Sequence, residues 1–164
     1  MTAAPAPGSE RDNPGVRIPP PFFFVVPLLA GLWLERLMPV GLVPASWEPT
    51  LTIVGASLVV AALLFGAWAI LTFVRARTHV IPVRPATTLV TWGPFRFSRN
   101  PMYVQFVVLY VGASLWAGAL WPFLFLPLVL LAVRRLVIAR EEAYLERRFG
   151  DEYRAYCAAT PRWL

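Results

Sequence analysis

The stretch LTIVGASLVVAALLFGAWAILTFV, residues 51–74, decides the fold class of this chain. Its 24 residues carry no charged side chain, and a helix of about 20 apolar residues crosses the ~30 Å hydrocarbon core of a bilayer. Of the 164 residues in the whole chain, 58% are hydrophobic, whereas soluble domains contain about 45–50% apolar residues. The sequence therefore predicts an all-α integral membrane protein.

Three further apolar blocks flank this span. They predict transmembrane helices at about residues 22–38, 101–119 and 122–138. Residues 1–21 are rich in Pro, Ala and Gly and are expected to form a disordered tail. A cleaved signal peptide is the alternative for the first block, but the charged pair Glu35–Arg36 and the long preceding tail favour a retained helix. We expect about four spans in a single domain over residues 22–164.

The fourth helix is predicted to extend beyond the membrane. The stretch LLAVRRLVIAREEAYLERRFG, residues 130–150, keeps apolar residues on one helical face and charges on the other. The 28 residues from Pro122 to Phe149 would form a helix roughly 42 Å long, which exceeds the hydrocarbon core. Gly150 is expected to end this helix at a left-handed position. Residues 139–164 are therefore predicted to form a cytoplasmic helical extension.

The arginines predict how the spans are oriented. The loop over residues 75–100 carries five arginines and the segment after residue 133 carries seven, whereas the turns 37–50 and 118–122 carry none. Because cytoplasmic segments of membrane proteins are enriched in basic residues, we expect this loop and both termini in the cytoplasm. The net charge of +6 follows from this pattern, so it does not indicate nucleic acid binding.

The stretch GPFRFSRNPMY, residues 93–103, places polar chemistry at the start of the third helix. Asn100 is a good N-cap residue, and Pro101 fits the first helical turn, where its missing N–H is not needed. The positive end of this helix and the neighbouring Arg99 together favour an anion such as a carboxylate. Gly93 and Pro94 predict a turn just before it.

The spacing of the last two spans predicts what faces this helix start. From Asn100 to the turn near Leu120 is 20 residues, and from that turn to Glu141 is 21. Antiparallel helices joined by a tight turn would therefore bring Asn100 beside Glu141 and Glu142. This arrangement suits a ligand that carries both a carboxylate and a cation, and the alternative is a solvated charged face.

The chain contains one histidine, His79, and one cysteine, Cys157. These counts exclude a disulfide framework and a Cys/His zinc site within one chain, and we expect no metal. His79 follows the second span directly, and we interpret it as an interfacial loop residue rather than a general base.

The motif GPFRFSRNPMY, with AREEAYLERRFGDEYRAYCAATPRWL at residues 139–164, resembles the isoprenylcysteine carboxyl methyltransferase and phospholipid methyltransferase superfamily. The similarity is to its bacterial isoprenylcysteine carboxyl methyltransferase-like branch and covers roughly residues 75–164. It implies a membrane enzyme that transfers a methyl group from S-adenosylmethionine to a lipophilic carboxylate, amine or thiol and leaves S-adenosylhomocysteine. The alternatives are a phospholipid N-methyltransferase and a non-catalytic membrane protein that retains the fold.

The resemblance also implies a cofactor site, although it assigns no catalytic residue. The family's cofactor motif falls on residues 100–103, its backbone contacts on 87–90, its covering aromatic on Phe95 and its acidic contact on Glu141. The predicted cofactor-binding residues, including Arg99 from the argument above, are Thr87, Thr88, Leu89, Val90, Phe95, Arg99, Asn100, Pro101, Met102, Tyr103, Glu141 and Glu142.

Two positions depart from the eukaryotic members of this superfamily. Asn100 stands where those enzymes have a histidine, and Val137 stands where they place an arginine that handles the substrate. The second departure argues against a prenylcysteine carboxylate as the acceptor. Arg134 and Arg135 are nearby substitutes for that arginine and are weaker candidates for contacts with the substrate.

Overall fold

The computed structural model describes residues 14–16, 18–41, 44–78 and 86–164. All regular secondary structure in these ranges is helical, so the predicted all-α membrane fold is confirmed. The helices are α1 (Pro20–Leu37), α2 (Glu48–Arg75), α3 (Pro101–Trp116), α4 (Trp121–Val133) and α5 (Ala139–Ala159). Short 3₁₀ turns at Ala45–Trp47 and Gly93–Arg96 and a π-helical turn at Arg134–Ile138 complete the secondary structure of the described residues.

Among the described residues, three helices are long and apolar enough to cross a membrane. They are α1, the stretch Ala45–Arg75 that contains α2, and the helix that begins at Trp121. The remaining predicted span, α3, is apolar but has only 16 residues, or about 24 Å. Many of its side chains are buried against other parts of the chain, among them Tyr103 and Tyr110, so α3 is packed closely between the longer helices.

The helix that begins at Trp121 is longer than a membrane span requires: its helical stretch Trp121–Ala159 has 39 residues, whereas about 20 suffice to cross the hydrocarbon core. It runs through the π-helical turn into α5 and changes direction at Gly150, whose φ is +52°. The left-handed glycine was predicted, but helical structure resumes after it and extends to Ala159. Most charged side chains of this helix belong to α5, after the apolar stretch over residues 121–138. The location of α5 outside the hydrocarbon core stays a prediction.

The first helix begins at Pro20, two residues before the predicted boundary. Proline is favourable there because the first helical turn does not use its N–H. Residues 1–13 of the predicted tail lie outside the described residues. Closer to the helix, Val16 is only 6% exposed and packs in one cluster with Phe24 and Tyr103, so residues 14–16 lie against the helices.

Close helix contacts hold the spans together. α2 packs on α3, and α1 packs on both α4 and α3. At the first crossing, a Cβ atom on Gly55 would overlap the Trp116 backbone and lie 2.6 Å from the Gly112 carbonyl oxygen. Small residues allow such an approach in membrane helices, and this packing fixes where α3 begins relative to the loop after α2.

Candidate functional site

A cavity of about 430 Å³ lies where the starts of α1 and α3, the loop after α2, and α5 meet. Its volume is within the range of small-molecule sites, roughly 300–1,000 Å³. Eleven of the twelve predicted cofactor residues line it: Thr88, Leu89, Val90, Phe95, Arg99, Asn100, Pro101, Met102, Tyr103, Glu141 and Glu142. The twelfth, Thr87, is exposed, and its hydroxyl donates a hydrogen bond to the Arg77 carbonyl at 3.2 Å.

The loop before α3 is held against α5. The Ala86 N–H donates to the Tyr144 hydroxyl at 3.0 Å, and the Arg148 Nε donates to the Ala86 carbonyl at 3.0 Å. A few residues on, Val90 is buried in a cluster with Phe95. The predicted backbone contacts of residues 88–90 therefore lie in a segment that two side chains of α5 position.

The turn at Gly93 positions Phe95 in the wall of the cavity. Gly93 has a φ of +64°, and a Cβ atom there would lie 2.8 Å from the Thr72 hydroxyl, so both the backbone and the space favour glycine. The Phe95 ring is buried and packs edge-on against Phe73, with the ring centroids 4.8 Å apart. The Tyr156 hydroxyl donates to the Phe95 carbonyl at 2.6 Å, which ties this turn to the second half of α5.

Residues 160–164, which follow α5 and form the C-terminal tail, hold the start of α3 in place. Asn100 occupies the N-cap position as predicted, but its side chain does not cap the helix. Its Nδ2 instead donates to the Arg162 carbonyl at 3.0 Å, and the Ser98 hydroxyl donates to the same oxygen at 3.3 Å. The Arg99 N–H donates to the Pro161 carbonyl at 2.9 Å. The tail supplies carbonyl oxygens here, and no sequence pattern predicts these contacts.

The predicted juxtaposition of this helix start with the acidic pair is confirmed. The Tyr103 hydroxyl donates to Glu141 Oε1 at 2.8 Å, and Arg99 Nη1 lies 3.4 Å from Glu142 Oε1. Two residues of the 93–103 stretch thus contact two residues of α5, as the equal number of residues on the two sides of the turn near Leu120 predicts.

Glu142 is already engaged by arginines. Arg162 Nε and Nη2 donate to its two carboxylate oxygens at 2.8 and 2.7 Å, and this geometry is bidentate. The Glu142 carboxylate holds the pKa of Arg162 above its ordinary value. With Arg99 on the same carboxylate, the charge of Glu142 is shared by two guanidinium groups of the chain.

Glu141 is in a different position. Within the part of the chain that the structure describes, its carboxylate accepts a hydrogen bond from Tyr103 alone, and no cation pairs with it. Burial raises the pKa of Glu141 to about 7; the Tyr103 hydrogen bond lowers it and the Glu142 charge raises it further. Near neutral pH the Glu141 carboxyl group is therefore only partly ionised. A ligand cation beside it would stabilise the ionised carboxylate.

Arg99 also has unused bonding capacity. Its Nη1 is 2.7 Å from Cys157 Sγ and close to Glu142. Its Nε is buried and has no hydrogen-bond partner among the described residues. A buried donor without an acceptor destabilises the folded state by about 1–3 kcal/mol, so the described residues leave part of the hydrogen-bonding capacity of Arg99 unused.

The candidate substrate residues lie elsewhere. Arg134 and Arg135 are exposed at the π-helical turn and are absent from the cavity lining formed by the described residues. Val137 is fully buried in the helical core. His79 lies outside the described residues. The cavity also has walls that the sequence did not predict, in particular Tyr144, Tyr153 and Tyr156 of α5.

Comparison with known proteins places these residues in a family context. A family model described as phospholipid methyltransferase matches residues 50–152. A protein of Haemophilus influenzae with the name "uncharacterized protein" is 40% identical over 63 residues, which are 38% of this chain and 100% of that protein. Protein-S-isoprenylcysteine O-methyltransferase of Schizosaccharomyces pombe is 37% identical over 73 residues, which are 44% of this chain and 31% of that enzyme. No solved structure matches.

Proposed function

The chain belongs to the phospholipid methyltransferase family, and we propose that it uses S-adenosylmethionine to methylate a lipophilic acceptor at the membrane surface. The observation that carries this proposal is that two charged side chains of one cavity have incomplete hydrogen bonding. Glu141 lacks a cation and Arg99 Nε lacks an acceptor among the described residues. The amino acid end of S-adenosylmethionine has an ammonium and a carboxylate, which match these two groups.

The residues present fit this cofactor in chemistry as well as in charge. Arg99 would hold the carboxylate, Glu141 the ammonium, and the backbone of residues 88–90 the polar edges of the nucleoside. Phe95 and Met102 offer apolar surface in the same cavity. The bound cofactor supplies a methyl group on a sulfonium, whose positive charge already activates the leaving group.

The protein's own contribution is positioning and exclusion of water. A methyl transfer of this kind is an in-line displacement, so its rate depends on holding donor and acceptor at short distance. The C-terminal tail fixes Asn100 and the start of α3, and Tyr156 fixes Phe95. A general base is not required for a carboxylate or thiolate acceptor, and the proposal assigns none.

We propose that the acceptor is not primarily a prenylcysteine carboxylate. The position that would carry a carboxylate-binding arginine is Val137, which is fully buried, and Arg134 and Arg135 are exposed outside the cavity. We expect a farnesylcysteine analogue to be methylated poorly relative to another lipophilic acceptor. The alternative acceptor is the amine headgroup of a lipid, which the description of the matching family as phospholipid methyltransferase favours.

Incubation of the purified protein with labelled S-adenosylmethionine and a total lipid extract tests the function. We expect label in a lipophilic product, whose identity distinguishes methylated amines, esters and thioethers. Efficient methylation of the farnesylcysteine analogue would contradict the acceptor assignment. Cofactor binding without any labelled product would support a non-catalytic protein, and absence of cofactor binding would contradict the whole proposal.

We also propose that both termini lie in the cytoplasm of a bacterial inner membrane, because the arginine-rich segments would then face inward. The cavity lies at the same end as the arginine-rich loop and α5, so the water-soluble cofactor would enter from the cytoplasm. A reporter fused after Leu164 tests this orientation. An external reporter would contradict it.

A further inference from the structure

Proline residues before and at the start of α1 form part of the cavity. Pro14, Pro19, Pro20 and Pro21 all line it, together with Tyr103. The family model begins only at residue 50, so this wall comes from outside the matched region. We call residues 14–16 and 18–21 the proline wall.

The proline wall is anchored from two directions. Val16 is buried, in a cluster that includes Tyr103 and Val137. Arg140 Nη1 donates a hydrogen bond to the Gly15 carbonyl at 3.2 Å. Because Arg140 directly precedes Glu141, the anchor of the wall is adjacent in sequence to the acidic residue of the cavity.

The chemistry of the proline wall differs from that of the charged groups in the same cavity. Proline has no backbone N–H, and its ring presents methylene groups. Such a surface cannot donate hydrogen bonds to the charged end of a cofactor, which Arg99 and Glu141 can bind. It can exclude water and contact hydrocarbon.

An apolar groove begins at the same segment. It has a volume of about 460 Å³ and lies between α1 and α4. Its lining includes Ile18 of the proline wall, Phe22, Phe23, Phe125 and Leu128. The described lining of this groove is apolar throughout, so a hydrocarbon chain that leaves the cavity along the proline wall continues onto apolar surface.

We propose that the proline wall holds the hydrocarbon chain of the methyl acceptor and sets the preference for long-chain acceptors. This inference rests on the proposed function and deepens it. It assigns the charged part of the cavity to the cofactor and the proline wall to the acceptor.

Two matched cofactor analogues test the inference without any need for turnover. Both carry nitrogen in place of the sulfonium; one bears the methyl group, and the other bears a decyl chain at that position. The ratio of their affinities, measured by calorimetric titration in one detergent, is the chain gain. We expect the decyl analogue to bind the parent protein at least about tenfold more tightly than the methyl analogue, because burial of methylene groups is favourable.

Substitutions at the two anchors should reduce the chain gain specifically. Val16→Asp should lower it about tenfold, which corresponds to about 1.4 kcal/mol. Arg140→Ala should lower it about threefold, because the buried Val16 anchor remains. Arg147→Ala, which removes an exposed arginine from the same helix, is the matched control and should leave it unchanged.

The outcomes separate this inference from the proposed function. If the methyl analogue binds and the chain gain is equal in Arg140→Ala and Arg147→Ala, the proline wall does not hold the acceptor chain. That comparison decides even if Val16→Asp fails to fold. If neither analogue binds the parent protein, the proposed function is wrong and this inference fails with it.

Discussion

Two glutamates of this protein lie beside the start of another helix, yet they use their oxygens differently. Glu35, near the end of α1, meets the start of α4, where its Oε2 accepts the Leu120 N–H at 2.7 Å and the Trp121 N–H at 3.3 Å. Its Oε1 accepts the Val40 N–H at 2.9 Å. Glu141 meets the start of α3 but accepts only the Tyr103 hydroxyl within the described chain.

The difference separates a structural carboxylate from one that is available to a ligand. A carboxylate offers about four acceptor positions, and Glu35 uses three of them on backbone N–H groups. Two of these, from Leu120 and Trp121, lie at a helix start that would otherwise leave them without partners. Glu141 keeps most of its acceptor capacity in a cavity of about 430 Å³. The number of acceptor positions left free, rather than the residue type, is therefore our reason to propose that a ligand binds at Glu141 and not at Glu35.

The largest effect on ligand binding is expected for Glu141→Gln. This change keeps the shape and removes the charge, and a hydrogen bond to a charged group contributes about 1.5–3 kcal/mol. Affinity for S-adenosylhomocysteine should therefore fall roughly ten- to a hundred-fold, without loss of thermal stability. Calorimetric titration and thermal melting in detergent measure the two quantities.

Glu146→Gln is the matched control for this substitution, because Glu146 is an exposed glutamate of the same helix. Its affinity should equal that of the parent. If Glu141→Gln also binds like the parent, Glu141 does not contact the ligand, and the proposed difference between Glu35 and Glu141 is wrong.

The opposite outcome is expected for Glu35→Ala. Three backbone N–H groups lose their acceptor, and the free energy of unfolding should fall by about 1–3 kcal/mol. The affinity for S-adenosylhomocysteine should not change, since Glu35 does not line the cavity formed by the described residues. Glu48→Ala, an exposed glutamate at the start of α2, is the control for stability. Equal melting temperatures of the Glu35 and Glu48 variants would show that Glu35 is not structural.

The sequence predicted the spans and the depth of the site because both follow from simple periodicity and length. The uncharged run over residues 51–74 predicts α2, and counting residues between two helix ends places Asn100 beside Glu141. These inferences need only the rise per residue of a helix and the thickness of a bilayer. The short length of α3 was missed because apolar residues continue beyond the turn at Gly118.

The sequence could not distinguish Glu35 from Glu141, or Glu141 from Glu142. The bond between Glu35 and Leu120 joins residues 85 positions apart, and the pair of Glu142 with Arg162 depends on the direction that the tail takes after α5. The proline wall was likewise predicted to be a disordered tail, because its composition is typical of one. Such contacts arise from the packing of distant segments, which no local pattern encodes.

The pH dependence of binding sharpens the contrast further. Since the pKa of Glu141 is about 7 in the ligand-free protein, a ligand ammonium must displace a proton below that pH. Affinity for S-adenosylhomocysteine should therefore decrease as pH falls below about 7, by up to tenfold per pH unit, with proton release on binding. Glu141→Gln should flatten this dependence. Titration in buffers of different ionisation enthalpy measures the protons released, and the absence of release at pH 6 would contradict the role of Glu141.

The same raised pKa has a consequence for stability. Relative to the ordinary value of 4.5, protonation of Glu141 is favoured in the folded state. Its contribution to stability is therefore full below pH 4.5 and is lost as pH rises through about 7. Glu141→Gln should remove this dependence from the ligand-free protein, which thermal melting as a function of pH can show.

The smallest effect is expected for Glu142→Gln, although Glu142 is the next residue in the chain. Arg162 and Arg99 already occupy its carboxylate, and a partly exposed ion pair contributes about 0.2–1 kcal/mol. Affinity for S-adenosylhomocysteine should fall no more than about fivefold, through a looser C-terminal tail rather than a lost ligand contact. Arg162→Gln should then have a similar effect, and the double variant should be no weaker than either single one, because both act through the same pair. Glu142→Gln could instead weaken binding as much as Glu141→Gln while Arg162→Gln does not. Both carboxylates would then contact the cofactor directly. In that case the number of free acceptor positions does not identify the ligand contact in this protein.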